Sequence, residues 1–357
     1  MDSEDARTLC PLVVLGTLED PHVARVVARI RAKGASVFVL DYLEPACVTL
    51  VADSGGVPIL YLDQTRLPDR YLIWDRAKII PGTALYIRGS AAFSGYCAHE
   101  WRALYTLLAG LNRCDVVNPL EGRMCRIKPF QQRVAGECGF LVPPTIVSTD
   151  KACLVEFHGE TDGAVVMKSL SGSKISTAAE GEASPYNVMT MRVAVDELHA
   201  AREDEISCCP HFMQREITKA YELRVVVIGQ VVMPFKVDSQ GSAPTRVDWR
   251  KRARMGMFSQ CEVSDDLRAR ILAFMRGMSL VTGSLDLIVD TEGRCWFLEC
   301  NQDGAWAWLD DICAGAIADA FAGEWLSRMA AIASAAEHAR FDRVAVAGDA
   351  AERERAS

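Results

Sequence analysis

The sequence predicts a mixed α/β protein of two or three domains, and three observations carry that prediction. A buried-strand run at residues 11–16 is followed by a helical stripe and a second strand run, the β-α-β opening of a parallel sheet. Further strand-like and helix-like segments follow it along the chain. Half of the 357 residues are apolar, enough to build separate cores at ordinary domain sizes.

The elements are justified in order. Pro11 to Gly16 is a short apolar run bounded by turn residues, and Val23, Val26, Val27 and Ile30 recur at i, i+3, i+4, i+7 as one helix face. A second strand spans Ala35 to Asp41. The first turn lacks Gly-x-Gly-x-x-Gly, so a nicotinamide or flavin site is not supported. Residues 57–88 read as short strands with Pro and Gly turns, and His99 to Leu111 as a helix rich in Ala and Leu. Asn118-Pro119 marks a break and a domain boundary near 119. A helix from Pro129 to Cys138 is stopped by Gly139, and Pro143-Pro144 cannot continue it. Ala164 to Lys168 is a strand running into the small-residue loop Ser169 to Lys174. Ser264 caps a helix whose stripe is Ile271, Phe274, Met275 and Met278. Beyond about 326 the sequence turns Ala-rich and then charged, a helix fraying into a disordered tail.

Composition narrows the function. With 39 Lys plus Arg against 47 Asp plus Glu the net charge is −8, a field that repels nucleic acid and anionic membranes. The apolar run Leu9 to Leu18 is too short to cross a bilayer and lacks a basic flank, so a cytoplasmic protein is expected. Thirteen cysteines without Cys-x-x-Cys spacing, Cys10, Cys138, Cys295 and Cys300 among them in apolar stretches, read as buried thiols in a reducing compartment. Vicinal Cys208-Cys209 is given no role. Six histidines never reach His-Glu-x-x-His spacing, which argues against a zinc hydrolase.

The chemistry concentrates in Gly283 to Asp290 and Arg294 to Asn301, two strands joined by a tight turn at Glu292-Gly293. Antiparallel register then sets Asp290 opposite Arg294 or Cys295 and Asp286 opposite Glu299, within one residue of slip. The strand period of two returns Asn301 to the face of Glu299. Two carboxylates about 5 Å apart at an effective dielectric near 20 repel by roughly 3 kcal/mol, so a cation should offset them. Oxygen-only donors select Mg²⁺, with Mn²⁺ as the alternative. Lys128 and Lys168, the latter ending a buried strand before a Ser/Gly loop, suit phosphate oxygens. Gly172-Ser173-Lys174 does not complete a P-loop pattern.

In sequence order these pieces resemble an ATP-grasp ligase from about residue 117 to about 326. The residues carrying the resemblance are Val117-Asn118-Pro119, Lys128 to Gln132, Gly139 to Thr145, Val166-Met167-Lys168, Gln214 to Ile217, Tyr221 to Val225 and the Asp286, Glu299, Asn301 hairpin. Lys236 to Gln240, Asp248-Trp249-Arg250 and Trp306-Ala307-Trp308 look most like the branch of graspetide (microviridin-type) peptide ligases, with the RimK-like branch similar but less close. Departures from the peptide-ligase pattern fall at Asn301-Gln302, at Gly304-Ala305-Trp306 and at Tyr86 to Gly89.

The resemblance implies an N-terminal Rossmann-like (pre-ATP-grasp) α/β domain over 1–118, followed by a two-subdomain ATP-grasp fold. Its central or lid subdomain would span 119–212 and its C-terminal catalytic subdomain 213–328, with a helical to disordered tail at 329–357. It also implies roles. Lys128 and Lys168 would hold ATP phosphates under a loop containing Ser171 and Gly172, and the Gln214 to Ile217 segment, Glu216 included, would offer main-chain contacts to adenine. Glu222 would bind the ribose, while Asp286, Glu299 and Asn301 would hold Mg²⁺. Arg224 and Arg250 are the candidates for the acceptor carboxylate and the acyl phosphate, because a guanidinium fork matches both. Trp306 and Trp308 read as core or interface aromatics. The implied activity is ADP-forming ligation of a carboxylate to an amine or hydroxyl, on a ribosomal peptide or on free small molecules, by a chain that allows a homodimer. A nucleotide-responsive binding protein without turnover is the reading from another class.

Overall fold

The computed structural model describes residues 9–41, 47–52, 58–76, 91–110, 114–119, 121–122, 126–170, 174–175, 186–187 and 189–355. The chain divides into two compact units, Met1–Leu120 with Ala314–Ser357, and Glu121–Cys313.

The first unit holds β1 (Leu12–Leu15), β2 (Val37–Leu40), β3 (Val48–Ala52), β4 (Pro58–Leu62), β5 (Thr65–Arg66), β6 (Tyr71–Asp75) and β7 (Cys114–Val117). A parallel sheet has the order β2-β1-β6-β7, and β3-β4-β5 form a separate antiparallel sheet. β1 is buried along its whole length, as an apolar run between two parallel neighbours must be. The helix Pro21–Ala32 starts on Asp20, whose carboxylate accepts from the His22 N–H at 2.9 Å, and it buries Val23, Val26, Val27 and Ile30 as the periodicity requires. The helix read at His99 to Leu111 begins earlier and spans Ala91–Gly110.

The end of the chain departs from the sequence-based boundaries. The helix Ala316–Arg355 belongs to the first unit, where Phe321 and Trp325 pack on Trp74 of β6 with ring centroids at 5.9 and 5.7 Å. Arg29 donates to the Gly315 carbonyl at 3.2 Å and pairs with Asp319. Contacts to residues some 290 positions earlier, rather than local composition, decide where this helix belongs.

The second unit contains β8 (Thr145–Ser148), β9 (Val165–Lys168), β10 (Lys174–Ile175), β11 (Tyr186–Asn187), β12 (Met191–Arg192), β13 (His211–Arg215), β14 (Lys219–Ile228), β15 (Val231–Val237), β16 (Phe258–Gln260), β17 (Thr282–Asp290) and β18 (Cys295–Asn301). Two larger antiparallel sheets have the orders β12-β9-β13-β8 and β16-β15-β14-β17-β18. Because β13 pairs with both β8 and β9, the chain passes from one sheet to the other at 216–218, just after the boundary read at 212/213. The first sheet shares a core of Leu154, Phe157, Val165, Val193, Leu198, Ile206 and Met213 with its helices. In the second, Leu223, Leu285, Leu287, Val289 and Phe297 pack on Val134 and Ala135 of the helix Lys128–Glu137 and on Ile271, Phe274 and Met275 of Asp265–Gly277. Ser264 caps the latter helix by accepting from Leu267 N–H at 3.2 Å.

Two bulges in the second sheet aim charge away from that core. One lies between Asp286 and Leu287, where β18 gains Leu298 as an extra residue, so Phe297 stays in the core while Glu299 falls on the opposite face. The other lies between Lys219 and Tyr221 of β14 and brings Lys219 onto the face of Glu222.

The cysteines divide differently from the expectation. Cys10 and Cys300 are buried, Cys138 and Cys295 are half-buried, and Cys47, Cys153, Cys208 and Cys209 are exposed, because short apolar runs also occur on helix faces and strand ends that meet water. Among the described residues, no helix is long and apolar enough to cross a membrane.

Phe274 is fully buried with its ring 4.7 Å from that of Phe297. Phe274→Ala is expected to destabilise the second unit by about 3–5 kcal/mol in urea unfolding. A loss below about 1 kcal/mol would contradict this packing.

Candidate active site

The two larger sheets of the second unit enclose a cleft of about 260 Å³. Of the residues designated from the sequence, Lys128, Lys168, Gln214, Glu216, Ile217, Glu222, Arg250, Asp286, Glu299 and Asn301 all line it. Arg224 lies on the wall of an adjoining cavity of about 290 Å³ that shares Lys128, Glu299 and Asn301. Ser171 and Gly172 lie outside the described residues, as does Tyr86 to Gly89.

The hairpin has the register read from the sequence. Asp286 pairs with Glu299 and Ser284 with Asn301, while the Asp290 N–H donates to the Arg294 carbonyl at 3.0 Å. The turn and the Leu298 bulge each shift the pairing by one residue and cancel. Asn301 Nδ2 lies 3.3 Å from an oxygen of each carboxylate, which ties the three side chains together.

Cations of the chain surround this acidic pair. Arg224 is the cross-strand neighbour of Asp286, and its Nη1 lies 2.9 Å from both carboxylate oxygens. Lys128 Nζ is 3.6 Å from Glu299, and Arg250 Nη1 is 3.9 Å from it. Burial pushes the Asp286 carboxyl up against the pull of Arg224. Burial acts on Glu299 in the same sense, but Lys128, Arg250 and Lys168 together outweigh it and hold Glu299 below its ordinary value.

These donors fit a hard divalent cation. Among the described residues no three His, Cys, Asp or Glu side chains gather as a metal cluster, so the set is two carboxylates and an amide. Such a sparse oxygen set suits Mg²⁺, which keeps waters and shares its shell with phosphates. A 180° turn of the Asn301 amide presents its oxygen in place of its nitrogen.

The rest of the cleft divides by chemistry. Lys168 Nζ donates to Gln214 Oε1 at 2.9 Å and Lys128 Nζ to the Ser169 carbonyl at 3.0 Å. Burial lowers Lys168 to about 8; Glu299 opposes that shift, and Lys219, Lys128 and Arg250 add to it. Val166 from one sheet and Ile288 and Leu298 from the other supply apolar lining. Along 214–217, the Arg215 N–H donates to Pro144 and the Glu216 N–H to Ala164. The Glu216 carboxylate is forked onto Arg192 at 2.7 and 2.8 Å. Gln214 therefore meets the cleft through its side chain, and Ile217 carries a main-chain N–H with no hydrogen bond among the described residues.

Two charged side chains of the cleft, Lys219 and Asp248, were given no role from the sequence. Lys219 donates to Glu222 at 2.9 Å and to the Val247 carbonyl at 2.9 Å; burial raises the Glu222 carboxyl while Lys219 restrains it. Only the bulge makes Lys219 and Glu222 neighbours, and strand alternation gives no sign of it. Asp248 forks onto Arg250 at 2.9 and 2.8 Å and accepts from the Thr190 N–H at 3.3 Å; despite burial, these bonds hold it down to about 2. The Asp-x-Arg spacing was the available signal. Trp306 is buried, and Trp308 joins Trp249 and Phe258 in a ring cluster, as core aromatics should. Gly304 is required by crowding, since a Cβ there would collide with Ser284 and sit 3.0 Å from Arg224 Nη2.

No protein-family model matches the chain, and no curated protein matches it. Solved structures do. A Chryseobacterium gregarium RiPP-associated ATP-grasp ligase, in complex with ADP and a leader and core peptide, superimposes with a TM-score of 0.77 at 23% identity over 90% of this chain and 97% of its own. The macrocyclase MdnC of Microcystis aeruginosa MRC, bound with precursor peptide MdnA, gives 0.75 at 23% identity over 89% and 99%. D-cycloserine synthetase DcsG gives 0.56 at 14% identity over 89% and 99%. The likeness is one of fold: the chain has the mixed α/β fold of the ATP-grasp ligases.

The Arg224 and Asp286 pair is buried, so removing one partner strands the other. Arg224→Met is expected to cost about 3–5 kcal/mol in urea unfolding, and Arg224→Met with Asp286→Leu to recover most of that loss. Equal losses in the single and double variants would contradict the pairing.

Proposed function

We propose that this chain is an ATP-dependent, ADP-forming carboxylate ligase that joins side chains of a ribosomal peptide through ester or amide bonds. The observation that carries the reading is the convergence of Lys128, Lys168, Glu222, Asp286, Glu299 and Asn301 on one cleft from segments spread over nearly half the sequence. The higher fold similarity to the two peptide-bound ligases than to the D-cycloserine synthetase supports a peptide substrate over a free small molecule. In this reading the first unit is the Rossmann-like N-terminal domain of a cytoplasmic enzyme, and the two antiparallel sheets are the lid and catalytic subdomains.

The residues divide the work by chemistry. Val166, Ile288 and Leu298 take the faces of the base, and the Ile217 N–H meets its edge. Glu222, steadied by Lys219, accepts from the ribose hydroxyls. Lys128 and Lys168 neutralise phosphate oxygens. Asp286, Glu299 and Asn301 hold Mg²⁺, which supplies charge stabilisation to the phosphoryl oxygens when bound. A carboxylate is a poor electrophile, and transfer of the γ-phosphoryl onto it gives an acyl phosphate that an amine or hydroxyl attacks. Arg224 and Arg250 orient the carboxylate and its phosphorylated form, with Asp248 fixing the plane of Arg250. The products are ADP, phosphate and the cross-linked peptide.

Two outcomes are expected. Co-expression with peptides encoded beside the gene should lower their intact mass by one water per bond, and Asp286→Asn should abolish both that loss and ADP release; unchanged ADP release in the variant would sink the metal assignment. Because Lys168 titrates near 8 in the free cleft and phosphate favours its charged form, nucleotide affinity should be full below that pH and fall as pH rises through it. ADP titrations in EDTA across that range check the sign, and an affinity that rises with pH would contradict it.

A further inference from the structure

The strand that carries Glu299 and Asn301 closes its sheet, since β18 is the last member of the order β16-β15-β14-β17-β18. The N–H and C=O groups on its outer edge therefore take partners from outside the sheet. At Phe297 the partner is main chain, the Leu141 carbonyl accepting from its N–H at 2.8 Å. At Cys300 both partners belong to one side chain. Gln131 Oε1 accepts from the Cys300 N–H at 2.8 Å, and Gln131 Nε2 donates to the Cys300 carbonyl at 3.0 Å. Gln131 is 3% exposed and Cys300 4%, so these bonds are shielded from water, and each group left without its partner would stay buried and unsatisfied.

Cys300 lies between two of the metal donors of the reading above. Its N–H belongs to the peptide plane that joins it to Glu299, and its carbonyl to the plane that joins it to Asn301. A carboxamide holds its acceptor and its donors on one flat group, so a single side chain locks both planes. Those planes fix the directions in which Glu299 and Asn301 leave the strand toward the cleft, while the Cys300 side chain turns the other way into the core. Gln131 also stands one turn after Lys128 on the helix Lys128–Glu137, which makes the phosphate lysine and the clamp on the donor strand parts of one rigid element.

We infer that Gln131 is a positioning residue of the metal site: it holds Glu299 and Asn301 through the backbone of Cys300 and keeps them in fixed relation to Lys128. The inference rests on the ligase reading and adds to it a residue that does not line the nucleotide cleft.

Gln131→Met keeps the length of the side chain and removes both bonds. Mn²⁺ is titrated into the full chain at saturating ADP and followed by electron paramagnetic resonance, and ADP is titrated separately in EDTA. Mn²⁺ is expected to bind about 10–100-fold more weakly to the variant, with ADP affinity in EDTA changed by about twofold or less. Val134→Ala, which loosens the same helix against the same sheet without touching a hydrogen bond, should leave both affinities unchanged. Mn²⁺ binding equal to that of the wild type, a loss of ADP affinity in step with that of Mn²⁺, or an equal Mn²⁺ loss in Val134→Ala overturns the inference. Should Gln131→Met not fold, Gln131→Asn, whose amide is one methylene too short to reach both groups, replaces it. Hydrogen exchange in the unaltered protein decides independently: the Cys300 N–H is expected to be protected and to gain protection when Mg²⁺ and ADP bind, and unchanged protection overturns the clamp. A wild-type chain that binds neither Mn²⁺ nor ADP overturns the ligase reading and this inference with it, whereas wild-type binding matched by the variant overturns this inference alone.

Discussion

Asp286 and Glu299 face each other across adjacent strands in a buried setting, and much of the site follows from the need to hold them there. Like charges in that position are unfavourable, and without compensation burial would drive both toward their neutral forms. The chain compensates with Arg224 on one carboxylate and Lys128, Arg250 and Lys168 around the other. Those four cations come from a helix start, a strand end, a strand centre and a short turn, so the acidic pair organises segments remote in sequence.

The same compensation explains how the site is poised. Every cation near the pair is a group that the proposed chemistry needs elsewhere. A divalent ion on Asp286 and Glu299 would take over the neutralising role, releasing Lys128 for phosphate and Arg224 for a carboxylate. In the proposed reading, the site would store its substrate-binding groups on the carboxylates that hold the metal. Asp248 stands apart from this exchange: its fork holds Arg250 whether or not the acidic pair is occupied.

Much of this was legible in the sequence where one element decides it. The helix stripe from Val23 to Ile30, the Ser264 cap and the Asp286 to Glu299 register each depend on spacing within one segment or across one turn. Lys219 was hidden because a bulge overrides alternation, and the contact of Arg224 with Asp286 because it joins strands 62 residues apart. The place of the C-terminal helix was hidden for the same reason, since Trp74 lies far from Trp325 in the chain. Glu216 was read for its main chain; its carboxylate turns to Arg192, and the N–H groups of Arg215 and Glu216 are taken by the Pro144 and Ala164 carbonyls.

The most direct test of the acidic pair as a divalent-metal site is the electron paramagnetic resonance of Mn²⁺ titrated into the protein with ADP. The account predicts one bound Mn²⁺ whose signal depends on nucleotide and disappears in Asp286→Asn and in Glu299→Gln. An unchanged Mn²⁺ spectrum in both variants would contradict it.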